Sequence, residues 1–156
     1  MAGIMGGTLQ ADLLGLILNG TPIANIALNA TSDPLTHLYA SLLTADPGAG
    51  GDQATNEISY TGYGRVGVAR NPSSPAWTVT GSNPASASPN ASFVFGLMTG
   101  GDGGTATHVG IGTLGTGAGE LLWAGALSPT VLVANGVTPE ITIDSTVTVA
   151  VYVPPA

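Results

Sequence analysis

Glu140-Ile-Thr-Ile-Asp-Ser-Thr-Val-Thr-Val-Ala-Val-Tyr-Val153 is the stretch that decides the fold class. Ile141, Ile143, Val147, Val149 and Val151 fall on one side of an extended chain, and Thr142, Asp144, Thr146 and Thr148 on the other. Successive side chains of a strand point to opposite faces, so this two-residue period is what a strand with one face in a core requires. Its β-branched residues suit a pleated surface. Working back towards the start, the same reasoning gives strands over His37–Leu43, Ile58–Ala69 (bent at its glycines), Ala91–Leu97, Thr107–Thr113, Leu121–Leu127 and Val131–Val133. Trp77–Thr80, lying among prolines 72, 75, 84 and 89, reads as a short edge strand. Asp46-Pro-Gly48, Gly100-Gly-Asp-Gly-Gly104, Gly115–Gly119 and Asn135-Gly136 supply turns between them.

The start of the chain differs. Leu9, Leu13, Leu16 and Ile17 recur at helical spacing, Thr8 can cap the first turn and Gly20 can end the last, so a helix is expected over 8–19. Residues 1–7 are glycine-rich and read as a flexible arm. The expected architecture is all-β: an antiparallel β-sandwich, jelly-roll-like, with one short N-terminal helix, forming a single domain over 8–156. The core is expected to hold Leu38, Leu42, Trp123, Ile141, Ile143, Val147 and Val149.

Composition narrows function. The 156 residues include nine carboxylates, two arginines and no lysine, for a net charge of −7. Two cations cannot neutralise a row of phosphates, so neither nucleic acid nor an anionic membrane surface is an expected partner. The apolar stretch Leu9–Leu18 is shorter than the ~20 residues of a membrane span, and no Lys or Arg precedes it as in a secretory signal. There is no cysteine, hence no disulfide framework or thiolate site. Charged residues make up 7 % of the chain, against about 25 % in ordinary soluble domains. With 44 % hydrophobic residues, so few charges leave surface that is best buried against other subunits, and a closed homotrimer is expected.

The chemistry-bearing residues are sparse. His37 and His108 stand far apart, with no second ligand at metal-binding spacing. The Gly-x-Ser-x-Gly nucleophile pattern is absent, and no pair of carboxylates is marked out for acid–base work. The runs Asp46–Asp52 and 100–104 lack the alternate acidic ligands of a calcium loop and the Lys-Ser/Thr of a phosphate loop. No catalytic residue, metal or cofactor is therefore expected. Trp77, Tyr60, Tyr63 and Arg65 are the candidate interface residues, aromatic and arginine side chains being those that anchor protein contacts.

The order of motifs adds a resemblance. His37-Leu-Tyr-Ala-Ser-Leu-Leu-Thr-Ala-Asp-Pro-Gly48 is followed by Asn56-Glu-Ile-Ser-Tyr-Thr-Gly-Tyr-Gly-Arg-Val66. Ala106-Thr-His-Val-Gly-Ile-Gly112 and Glu120-Leu-Leu-Trp-Ala-Gly-Ala-Leu127 come next. From about residue 8 onwards the chain resembles a family of small tailed-bacteriophage virion proteins, often labelled as tail fibre. It departs from them at Tyr60-Thr-Gly62, where the family is more glycine-rich. The resemblance implies a non-enzymatic virion protein, made in the host cytoplasm, and transfers no catalytic residue. The expected role is a decoration or cement protein on the capsid surface that bridges subunits of the major capsid protein. The alternative is a tail fibre, spike or adaptor protein that binds a host surface glycan or receptor.

Overall fold

The protein is mostly β-strand in antiparallel sheets, with one short helix, as a computed structural model describing residues 7–23, 34–81, 85–143 and 147–149 shows. The strands of the described residues lie in three sheets, and jelly-roll order is not evident in them. The chain folds as two compact units, one drawn from Met1–Thr36, Ala69–Ala91 and Ile143–Ala156, the other from His37–Val68 and Ser92–Thr142. The expected arm over 1–7 lies outside the described residues except at Gly7, which opens the helix.

In the first unit, helix α1 (Gly7–Leu14) widens into a π-turn over Gly15–Asn19. Gly20 ends it in the left-handed conformation (φ 70°), donating its N–H to Leu16 O at 3.1 Å, while Thr21 N–H reaches back to Gly15 O at 3.0 Å. A side chain at position 20 would be strained there, which is why the stop signal in the sequence is a glycine. Leu14 and Leu18 are buried, and α1 packs on strands β3 (Trp77–Thr80) and β4 (Ala85–Pro89). β3, β4 and β9 (Val147–Val149) form an antiparallel sheet in that order, with β3 at its edge. Ala85, Ala87 and Pro89 of β4 face inward, while Ser86 and Ser88 are half-buried. A cation sits at the helix end: the Arg70 guanidinium donates to Leu16 O (2.9 Å) and Ile17 O there, and to Leu35 O (2.6 Å) beyond it. The last carbonyls of a helix carry the negative end of its dipole, so a guanidinium is favourable there.

In the second unit, β1 (His37–Leu43) is an inner strand of a four-stranded sheet ordered β2-β1-β6-β7, with β2 Val66–Ala69, β6 Gly104–Gly112 and β7 Leu121–Val133. β1 pairs antiparallel with β6, Tyr39 opposite Gly112 and Leu43 opposite His108. From Ala40 to Leu43 it is buried on both faces. A two-stranded ribbon of β5 (Phe93–Val94) and β8 (Glu140–Ile141) extends through Phe95 N–H to Pro139 O (2.9 Å) and Met98 N–H to Val137 O (2.9 Å).

Two expected strands are corrected. The stretch 58–65 is not a strand: Asn56 (φ 58°) and Gly62 (φ 102°) turn the chain there. Gly62 and Gly96 approach so closely that a Cβ on either would strike the other segment's backbone carbonyl. The alternation from 140 to 153 is not one strand in the described residues: β8 pairs with β5, whereas β9 pairs with β4 in the other unit. Between them Ile143 is 52 % exposed, so its placement in the core is overturned. The period identifies extended chain at each end but not a shared sheet.

Candidate functional site

The polar residues converge at one place in the second unit, beside the end of β1. Thr44 N–H donates to Asn56 O (2.8 Å) and Ile58 N–H to Leu42 O (2.9 Å), which lays residues 56–58 alongside β1. Glu57 thereby reaches Arg65: Nε donates to Oε1 and Nη2 to Oε2, both at 2.7 Å. The parallel two-bond geometry matches the fork of a guanidinium to a carboxylate. The remaining donors go to the loop 113–119, Nη1 to Leu114 O (2.9 Å) and Nη2 to Gly117 O (2.8 Å). The Arg65 side chain is 2 % exposed and that of Glu57 16 %.

Two tyrosines complete the cluster. Tyr63 Oη donates to Glu57 Oε1 (2.7 Å) and accepts from Leu42 N–H (3.2 Å). Its ring stacks on Phe95 (centroids 6.2 Å apart) and meets Tyr60 edge-on at 5.2 Å. Tyr60 Oη donates to Gly96 O at 2.8 Å. Burial, and then the hydrogen bond to Glu57, push the Tyr63 phenol far above the usual tyrosine range. Because the folded state holds this proton more tightly than the unfolded state, Tyr63 contributes stability below about pH 10 that is lost as the pH rises beyond it. The protein is expected to unfold in alkaline titration above that pH. Tyr63→Phe should flatten this limb of the stability profile, measured by denaturant midpoints from pH 8 to 11.

The neighbouring loop is tied down as tightly. Gln53 is fully buried, its N–H donating to Gly119 O (3.0 Å) and its Oε1 accepting from Leu114 N–H (2.8 Å). Asp52 Oδ1 accepts from Thr55 Oγ1 (3.0 Å) and Ala54 N–H (2.9 Å), bonds to the ionised form that hold its carboxyl below the usual range. Asp46 caps its own turn by accepting from Gly48 N–H at 2.8 Å. His37 lies beside Tyr39 (ring centroids 6.4 Å), and His108 Nδ1 bonds Thr107 Oγ1 at 2.9 Å. Among the described residues no three His, Asp or Glu side chains group to hold a metal ion.

The structure thus brings three of the four candidate interface residues, Tyr60, Tyr63 and Arg65, into one cluster, with their polar groups bonded within the unit. Trp77 is elsewhere, in β3 of the other unit, 2 % exposed, with Asn19 Nδ2 donating to its carbonyl at 3.1 Å. The expected order of the tryptophans is reversed, for Trp123 is only half-buried on β7, opposite Ile111. Leu38, Leu42 and Ile141 are buried. The side chains of Val147 and Val149 lie outside the described residues. Sequence reasoning passes over Glu57, Gln53 and Arg70. A signal for the arginine and its partner is present: a chain with only two arginines has a specific use for each.

The cluster is a clamp, since its charged groups spend their hydrogen bonds on the chain itself. Comparison with known proteins gives the identity that the clamp does not. No curated protein matches the chain. The family model described as Podophage GP4 fiber I protein gp80 matches residues 9–148. That match spans nearly the whole sequence, so the chain belongs to this family of tailed-phage virion structural proteins.

Proposed function

We propose that the protein is a non-enzymatic virion component that works by association, as a closed homotrimer built into a phage appendage. The observation that carries this is the inward use of its cations: both arginines are bonded to backbone carbonyls of the chain itself, and the chain has no lysine. Contacts with neighbours then rest on apolar surface, backbone groups and carboxylates. The description of the family as a fibre protein favours the appendage, where the chain would contribute to host attachment. A second reading, a capsid-surface cement bridging copies of the major capsid protein, is favoured by the exposed apolar strand β7, which suits a bridge that raises the barrier to separating subunits.

Copy number decides between them. The fibre reading expects a few to a few dozen copies per virion by quantitative gel staining, and loss of host adsorption in particles lacking the protein. Hundreds of copies, with release of DNA to a dye at a lower temperature when the protein is missing, would reverse the choice. Light scattering at micromolar concentration should give three times the chain mass of 15.3 kDa.

A further inference from the structure

β7 is one of the two outer strands of its sheet and is built unlike the strands within it. It hydrogen-bonds only to β6, and its other edge has no partner strand among the described residues. Ala124, Gly125 and Ala126 are consecutive and all exposed, so both faces of the strand meet solvent there, and Ser128, Pro129 and Thr130 repeat the pattern. Leu132, further on, is 62 % exposed. A strand belonging to a finished core hides one face along its length; between Ala124 and Ala126 this one hides neither. Exposed edges are protected by charges, prolines or bulges; β7 carries Pro129 and an irregularity against β6 between Ala126 and Val131, but no charge. No residue between Glu120 and Glu140 is charged, and neither is any Asp, Glu, Lys or Arg present in β6.

We infer that copies of this chain meet through β7, strand against strand. The inference rests on the self-association reading and names its surface. The occupant is set by charge. A second copy also carries −7 and has its arginines turned inward, so it is repelled wherever carboxylates of the two copies face each other. At β7 neither copy has a carboxylate to present. The β7 strands of successive copies can then pack around the axis of a closed ring without bringing two carboxylates together. A basic partner would be drawn to the carboxylate-bearing loops instead.

The chain has no cysteine, which permits a direct test. Single substitutions Ala124→Cys, Ala126→Cys and Thr130→Cys are treated with mild oxidant in the full-length protein, with Ala49→Cys, at an exposed position outside β7, as reference. A disulfide forms only where Cα atoms come within about 7 Å, so at least one β7 variant should run at twice the chain mass without reductant, and Ala49→Cys should not. In parallel, Ala126→Glu places like charges together and should weaken association about 10-fold or more by light scattering, with an unchanged circular dichroism spectrum. Wild-type protein that scatters as a single chain would overturn the self-association reading, and this inference with it. Oligomeric wild type, no β7 cross-link and an Ala126→Glu variant of undiminished mass would overturn this inference alone.

Discussion

Glu57→Gln is expected to lower unfolding free energy by about 3 kcal/mol, the lower end for a buried ion pair cut on one side. The amide cannot accept both guanidinium bonds and keep the Tyr63 hydroxyl bond as a charged oxygen does, so Arg65 is left buried with its charge uncompensated. Arg65→Met should cost a similar amount, because it strands the Glu57 carboxylate and removes the donors to Leu114 O and Gly117 O. The double variant should be less destabilised than the sum of the two, since it leaves no unpaired charge. Urea midpoints for the four proteins of the cycle measure this. Additive losses would show that the pair is not coupled.

Trp77→Ala is the second large effect. The ring is 2 % exposed in β3, whose sheet packs against α1, and its removal should cost about 3–5 kcal/mol in transfer and cavity terms. Trp123→Ala, on the half-buried stretch of β7, should cost less than half as much in folding. If copies meet through β7 as proposed, it should weaken association instead, because it removes the largest apolar side chain of that strand. Thermal melts at low protein concentration separate the two effects.

Much of the local structure is legible because its cause is local. The helix is readable from four apolar positions and a glycine that must adopt positive φ, and β1 from an apolar run ending at Asp46-Pro-Gly48. The tryptophans are ranked wrongly by sequence for a specific reason. Trp123 sits in the more apolar neighbourhood, Leu121–Leu127, and local hydropathy takes that as burial. A strand at an open sheet edge is apolar without being covered, and proline-rich flanks do not keep Trp77 from lying inside its unit. The clamp is invisible for a different reason. Glu57 and Arg65 are eight positions apart, but the carbonyls that complete the site lie 49 and 52 positions beyond Arg65. Only the folded loop 113–119 brings them there, and a backbone carbonyl carries no mark in the sequence.

The two arginines have a consequence for survival outside a cell. Trypsin-like proteases cut after lysine or arginine, inserting that side chain into an acidic pocket. This chain offers them two bonds, after Arg65 and after Arg70, and both guanidinia are already held by carbonyls of the folded protein. Cleavage then waits on local or global opening, so its rate follows the population of opened molecules. A virion component made of such a chain is shielded from digestion by the same bonds that fold it.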